Sequence, residues 1–337
     1  MNTTIRDVAQ RAGVGLGTVS RVLNNSPLVS AATRQRVLDV IAELRYSPSP
    51  VARRLSLGKT LTIATIAPFF TRPSVIERLR GIEATLTDSG YDLFVHNVES
   101  LERRNACFRH LPRRERSDGV LIISLTPAAD EIALMQTTGV AVVLIDTCVA
   151  GLPCVVVDDQ TGGMLATRYL LELGHRRIGY VGDSLNNPFG FTSSADRYAG
   201  YCQALTEAGI PLREAYYRVG LHGRYEARHL AHELLALDTP PTAIFAASDT
   251  QALGVLEAAR DRGLRVPEDL SVLGYDDIEI AEYLGLTTIR QPLFETGGRG
   301  VELLLERLAN PDISPVCECL PIELIARGTT SVPPDGF

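Results

Sequence analysis

The sequence predicts a small all-α head followed by a larger α/β body built from doubly wound parallel sheets. Three observations carry that reading. Residues 5–24 have the apolar spacing of two short helices around a glycine turn. From Leu61 onward, short Val/Ile/Leu-rich runs alternate with amphipathic stretches. Charge divides at the same boundary, with nine Lys/Arg and three acids in residues 1–60, against −7 for the whole 337-residue chain.

Composition sets the outer limits. An apolar fraction of 45% and a charged fraction of 22% are ordinary for a folded globular chain large enough for two or three domains. No apolar run approaches the ~18 residues of a membrane span, and the polar, amphipathic first turn lacks a signal-peptide pattern; the expected location is the cytoplasm. The six cysteines, Cys107, Cys148, Cys154, Cys202, Cys317 and Cys319, are scattered. Cys317-x-Cys319 is too tight for a zinc knuckle and has no second pair, so buried thiols in a reducing compartment are expected, with no metal and no cofactor.

In the head, Ile5, Val8, Ala9 and Ala12 follow the i, i+3, i+4, i+7 rule of one helical face. Thr4 and Asp7 are placed to form a capping box, and Gly13 to end the helix. Val19, Val22 and Leu23 give the next helix an inner face, leaving Leu16, Gly17, Thr18, Ser20 and Arg21 partly outward. A third helix is expected from Ser30 to Arg45, with Val37, Leu38, Ile41 and Leu44 inward. Each is too short to stand alone, so they must pack together. Two short helices about a glycine turn are the layout of a helix-turn-helix DNA reader, and a basic head on an acidic body suits a protein that meets phosphate with one end. The series Gly13-x-Gly15-x-Gly17 imitates a dinucleotide loop but follows a helix, and Thr18 occupies the position where the last glycine would fall.

Pro48 and Pro50 break the third helix, and Pro50 is suited to open another over Val51 to about Leu57. That segment, 47–58, reads equally as a marginal helix that forms on docking or as a plain linker.

In the body, strands are expected at Leu61–Ala67, Tyr91–Val95, Val120–Leu125, Val140–Asp146, Arg177–Gly182, Thr242–Ala247 and Leu270–Tyr275. Continuous apolar runs suit parallel strands covered on both faces. So many of them imply two lobes, with a ligand between the C-terminal ends of their strands. Asp146, Asp249 and Asp276 close such runs. Asp249 and Asp277 are read as helix N-cap acids. Phe69, Phe70, Phe189 and Phe191 fall in loops after strands, where a ring either joins the core or stacks on a ligand.

The head resembles the headpiece of the LacI/GalR (lactose-repressor/galactose-repressor) family. The resemblance is carried by Ile5-x-Asp7-Val8-Ala9, Ala12-Gly13-Val14, Thr18-Val19-Ser20-Arg21-Val22-Leu23-Asn24, Thr33-Arg34 and Tyr46-x-Pro48-x-x-Val51-Ala52-Arg53-x-Leu55. It implies that the second helix enters the major groove and that residues 47–58 form a hinge helix wedged into the minor groove. Leu16, Gly17 and Arg21 then occupy base-reading positions; Thr18, Ser20 and Asn24 serve phosphates; Ala52 and Leu55 contact the minor groove. Two departures stand out. Gly15 replaces the usual capping Ser, and Gly17 offers no side chain to a base, so direct readout leans on Leu16 and Arg21.

The body resembles the family's periplasmic-binding-protein-like effector domain through Gly81-Ile82-Glu83, Asp118-Gly119, Leu173-Gly174-His175-x-Arg177-Ile178-Gly179-Tyr180, Asp196-Arg197-x-x-Gly200-Tyr201, Ala247-x-Asp249-x-x-Ala252-Leu253-Gly254, Pro267-x-Asp269-x-Ser271-Val272-x-Gly274-Tyr275-Asp276-Asp277 and Leu286-Thr287-Thr288-Ile289. This likeness places the effector pocket at Asp146, Arg197, Ser248 and Asp276, with His222 where some relatives carry an aromatic; Phe69 and Phe189, by their place after strands, are added as candidate stacking rings. A carboxylate accepts two hydroxyl hydrogens and a guanidinium donates in a fixed fork, so Asp276 and Arg197 suit a sugar.

The implied protein is a sequence-specific transcriptional repressor, not an enzyme. It is expected to be a homodimer bound to double-stranded operator DNA and modulated by a small effector, a sugar or sugar derivative, with a purine or another metabolite as the alternative. A further alternative is a solute-binding protein, which would lack the basic head and carry an export signal. The expected domains are a headpiece at 1–46, a hinge at 47–58 and an effector domain at 59–337. Its N-lobe covers about 60–158 and 291–320, and its C-lobe about 162–288 and 321–330.

Overall fold

The computed structural model describes residues 3–23, 25–46, 58–185 and 187–334. It contains two compact units, residues 1–60 and 61–337.

The first unit is a three-helix head: α1 (Ile5–Ala12), α2 (Leu16–Leu23) and α3 (Ala31–Glu43). The Thr4 hydroxyl accepts the Asp7 N–H while the Asp7 carboxylate accepts the Thr4 N–H at 2.8 Å, forming the reciprocal box that starts α1. Gly13 adopts the left-handed conformation and returns its N–H to the last turn. Ser30 caps α3. The core is Val8, Ala9, Ala12, Val19, Val22, Val37 and Val40. Leu38, expected to point inward, is 43% exposed, and Val40 takes the buried place. With Val37 at the centre, residues three and four positions on, Val40 and Ile41, share its face; a neighbour one position on does not. Arg34 clamps the end of α2, donating to the carbonyls of Val22 at 3.4 Å and Ser26 at 2.5 Å.

The second unit holds two six-stranded sheets. The first is built from β1 (Thr62–Pro68), β2 (Asp92–Val98), β3 (Gly119–Ile123), β4 (Ala141–Ile145), β5 (Cys154–Val156) and the late strand β11 (Cys317–Cys319), with helices α4 (Pro73–Leu86), α5 (Leu101–His110) and α6 (Ala129–Thr138) between the early strands. The second contains β6 (Ile178–Asp183), β7 (Tyr217–Gly220), β8 (Ala243–Ala246), β9 (Ser271–Asp276), β10 (Thr287–Arg290) and β12 (Glu323–Ile325). Its helices are α7 (Asp159–Glu172), α8 (Ser193–Glu207), α9 (Arg224–Leu235), α10 (Asp249–Asp261) and α11 (Glu279–Leu284), while α12 (Leu293–Ala309) returns to the first sheet.

The strand orders are β2-β1-β3-β4-β5-β11 and β7-β6-β8-β9-β10-β12. Both follow the doubly wound order 2-1-3-4-5 with one strand appended. Strand neighbours are parallel except β10 and β12. The chain therefore passes between the sheets after β5, after β10 and after β11. Each of the seven expected strands is present, with ends shifted by up to three residues. The other five strands (β5, β7, β10, β11 and β12), of three or four residues each, were not among those expected. β1, β3 and β4 are buried along their whole length, as parallel strands between helix layers require.

The cysteines depart from expectation. Cys148, Cys317 and Cys319 are exposed rather than buried, and Cys154 and Cys317 form a disulfide between β5 and β11. The two are register partners on adjacent strands, although 163 residues separate them in the chain. Linear spacing carries no trace of such a pairing.

Candidate functional site

On α2, Leu16, Gly17 and Arg21 are exposed, with Leu16 at 45%, while Thr18 and Ser20 are half-buried. An added Cβ at Gly15 or Gly17 would meet nothing within 4 Å, so the backbone on either side of Leu16 is open. The main-chain carbonyl of Gly15 accepts from Thr18 and Val19 and starts the helix without a side-chain acceptor. Asn24, Ala52 and Leu55 lie outside the described residues.

A second site lies between the two sheets of the body. In a 2-1-3-4-5 sheet the order reverses between the first and third strands, and adjacent loops diverge there to leave a crevice at the strand C-termini. Both sheets supply such a point. Pro68 after β1 and Ser124 after β3 line the cleft from one side; Asp183 at the end of β6, with Ala247 and Ser248 after β8, lines it from the other. The cleft encloses roughly 600 Å³, part of it open to solvent. Ser124, Asp146 and Asp276 adopt positive φ there, at 56°, 65° and 117°. For residues with a Cβ this costs on the order of 1–3 kcal/mol each and is tolerated where surrounding structure over-determines the backbone.

The lining is polar and consistently paired. Asp146 accepts from Arg78 at 2.5 Å and from the Ser124 hydroxyl at 2.6 Å. Arg78 also reaches the side-chain carbonyl of Gln291 at 3.3 Å, and Gln291 donates to Asp276 at 2.6 Å. Asp276 lies 3.7 Å from Arg197, which is held by Asp159 at 2.7 Å and by the carbonyl of Ala247 at 2.6 Å. The Arg197 guanidinium also lies 3.8 Å above the Tyr275 ring. Asp183 accepts from Gln251 at 2.8 Å and from Ser194 at 3.3 Å, and lies 3.1 Å from His222 Nδ1. The Ser248 hydroxyl caps α10 by accepting the Gln251 N–H.

Glycines place the two buried arginines. A Cβ on Gly297 would fall 2.0 Å from the Arg78 carbonyl, and one on Gly163 would fall 2.1 Å from the Arg197 carbonyl. Only glycine lets α12 approach α4, and α7 approach α8, closely enough to hold each guanidinium in the cleft.

Burial dominates the electrostatics. It pushes the Asp159 carboxyl up to about 6, against the opposing pull of Arg197. It also raises Asp276, despite Arg197 and Arg78. Burial acts on Asp183 in the same direction, but His222 and Arg72 outweigh it and hold that carboxyl below its ordinary value. Arg72, whose guanidinium stacks 4.2 Å over the Phe69 ring, is lowered by burial.

Asp146, Arg197, His222, Ser248 and Asp276 thus converge on one cleft. Phe69 and Phe189 do not line it. They pack edge-on at 5.4 Å, and Phe189 stacks on Phe191, which does line it. Arg72, Arg78, Asp183, Gln251 and Gln291 were missed. Asp183, the polar end of an expected strand, was the one with a readable signal. Asp249 and Asp277 are not N-caps. Asp249 is wholly buried and accepts from the Ile278 N–H at 3.0 Å and the Thr288 hydroxyl at 2.6 Å, because Ser248 already caps α10. Asp277 pairs with Arg290 and Arg327, both at 2.7 Å.

Comparison with known proteins gives two family matches. Residues 4–49 match the bacterial regulatory proteins of the lacI family, and residues 167–330 match the periplasmic binding protein-like domain. The chain is 35% identical over 310 residues to the HTH-type transcriptional repressor PurR of Pasteurella multocida, covering 90% of this chain and 92% of the relative. Among solved structures it is similar to a lac repressor dimer bound to operator and the anti-inducer ONPF, at TM-score 0.85, 28% identity and coverage of 98% and 100%. It is also similar to a complex of the transcriptional regulator CelR with cellobiose, at TM-score 0.72, 31% identity and coverage of 97% and 100%.

Proposed function

This chain belongs to the lacI family of bacterial regulatory proteins and is a DNA-binding transcriptional repressor, and we propose that a small polyhydroxylated ligand, a sugar or sugar derivative, held in the cleft between the two sheets sets its hold on operator DNA. The observation that carries this is the make-up of the cleft. Three carboxylates (Asp146, Asp183 and Asp276) alternate with three guanidiniums (Arg72, Arg78 and Arg197) around hydroxyls and amides. Such a lining presents acceptors and donors in balance. That favours a neutral molecule with many O–H groups over a polyanion, which would leave the carboxylates unmatched. The cellobiose seen in the similar regulator agrees in class.

At the DNA end, Arg21 reads a base edge as a bidentate donor, Leu16 makes an apolar base contact, and the Gly17 backbone allows close approach. Thr18, Ser20 and Asn24 serve phosphates. Residues 47–58 act as the hinge, with Ala52 and Leu55 in the minor groove. The protein works as a homodimer on two half-sites of a near-palindrome, matching the dimeric state of the similar lac repressor structure. Ligand and DNA favour different arrangements of the chain, with reciprocal coupling.

A thermal-shift panel of mono- and disaccharides, nucleobases and nucleosides tests the ligand class, since a ligand bound to the native state raises its apparent stability. Stabilisation by at least one sugar supports the reading; a response confined to nucleobases or nucleosides overturns it. Fluorescence anisotropy with the chain's own upstream DNA across a salt series tests the operator role.

A further inference from the structure

Three cysteines from three separate segments meet at the edge of the first sheet. Cys148 lies in the β4–β5 loop, Cys154 opens β5 and Cys317 opens β11. Their sulfur atoms all lie within 4.8 Å of one another, and the Cys148 and Cys317 sulfurs are 3.3 Å apart. Cys154 is buried and the other two are exposed, so the trio has a floor and an open mouth.

From this geometry we propose that the reduced chain carries a three-thiolate site for a soft, filled-d-shell cation such as Cu(I) or Zn(II). The donor set decides the class. All three ligands are sulfur, which selects soft or borderline ions, whereas magnesium and calcium require oxygen. Around an ion with metal–sulfur bonds of about 2.3 Å, tetrahedrally disposed thiolates sit ~3.8 Å apart, so the Cys148 and Cys317 sulfurs at 3.3 Å need a small shift and Cys154 and Cys317 must first be reduced and separate. Among the described residues, neighbouring groups add no fourth side chain to the trio. Glu318 accepts Arg299 through both oxygens at 2.7 Å, and the Cys319 sulfur turns toward the Leu320 carbonyl. Three protein ligands leave Cu(I) trigonal, or Zn(II) with an open position for water. The Cys154–Cys317 disulfide is the oxidised form of the same cluster and excludes the ion.

The site also connects to the cleft. Cys148 lies two residues after Asp146, and the intervening Thr147 hydroxyl is 2.9 Å from that of Thr126, which donates to the Gly190 carbonyl of the other lobe. Binding at the trio therefore fastens the loop that carries a cleft carboxylate.

The full chain, reduced and kept anaerobic, would be titrated with Cu(I) against a bathocuproine competitor and, separately, with Zn(II) against a pyridylazo indicator. The expected result is one equivalent of at least one ion, weakened more than about tenfold by Cys148→Ser and by Cys317→Ser and unchanged by Cys319→Ser. Cys148 is exposed, so its serine variant should melt like the parent, which separates lost ligation from lost folding. Three results overturn the proposal: retention of neither ion above the level of a Cys148/Cys154/Cys317 triple-serine variant, equal loss on Cys319→Ser, or a Cys154–Cys317 bond that alkylation and mass measurement show to survive the reductant.

Discussion

Arg78 and Asp276 lie on different lobes, and one amide joins them: Gln291 donates to Asp276 across 2.6 Å while its carbonyl oxygen receives Arg78 at 3.3 Å. Gln291 sits where the chain passes from β10 to α12, on a segment shared by both halves of the body. Its side chain therefore ties a strand end of one sheet to a helix of the other, with Asp146 and Arg197 as the outer members of the row.

Replacing Gln291 with Leu leaves a buried carboxylate without its donor. Stability to urea should fall by about 1–3 kcal/mol, the cost of an unsatisfied buried polar group. The effector concentration at half-response should rise more than about tenfold, because the lobes lose their bridge. Unchanged values in both measurements would remove Gln291 from the coupling.

Asp276→Ala removes an acceptor from the cleft but lies far in sequence from the head. The thermal shift caused by the effector should vanish, and operator affinity without effector should stay within about threefold of the parent, under ~0.7 kcal/mol. A normal thermal shift would exclude Asp276 from ligand contact.

Gly163→Ala places a methyl group 2.1 Å from the Arg197 carbonyl. The α7–α8 contact must open, at a cost of about 1–3 kcal/mol for overpacking. Arg197 is then displaced from Asp159, so effector affinity should fall together with the melting temperature. Loss of stability with intact effector affinity would show that Arg197 tolerates the shift.

His175 supplies a pH signature. Its ring is fully buried, within 3.0 Å of the hydroxyls of Thr242 and Ser271 and of the Ser331 carbonyl. Burial lowers its pKa below 6.5, against the pull of that carbonyl. The unfolded chain therefore binds the proton more readily, and stability rises with pH from the depressed folded value up to about 6.5, then levels. Melting temperature should be lower at pH 5 than at pH 7.5, and His175→Gln should flatten that difference. An identical pH profile in the variant would assign the slope to other groups.

At the DNA end, Arg21→Ala should reduce specific operator affinity by about 1–3 kcal/mol, with a smaller effect on non-specific duplex. Anisotropy titrations on operator and scrambled DNA at one salt concentration separate the two. Equal losses on both would recast Arg21 as a phosphate contact.

Much of this was legible in the chain. The Thr4–Asp7 box, the Gly13 stop and seven strands follow from local spacing, because capping geometry and apolar runs leave marks over four to eight residues; six of the strands are buried along most of their length, while β2 is mostly exposed or half-buried. Asp146 and Asp276 were readable as polar ends of apolar runs, and Arg197, Ser248 and His222 through family likeness. Arg78, Gln251 and Gln291 were not, because a buried polar residue in a helix or at a crossover has no local signature. Phe69 and Phe189 show the converse. Rings after strands suit a cleft or a core equally, and the contact between these two resolves them into a packed pair.

By itself, then, the sequence determined a basic three-helix head, a body of two doubly wound sheets and a family of repressors, all consequences of periodicity, charge and local motifs. Tertiary structure alone decided which side chains share the cleft, why glycine is required at Gly163 and Gly297, and that Cys148, Cys154 and Cys317 meet. Most of those relationships join residues tens to hundreds of positions apart. They arise only when chain crossings bring strand ends and helix backbones together, and no periodic pattern along the chain records them.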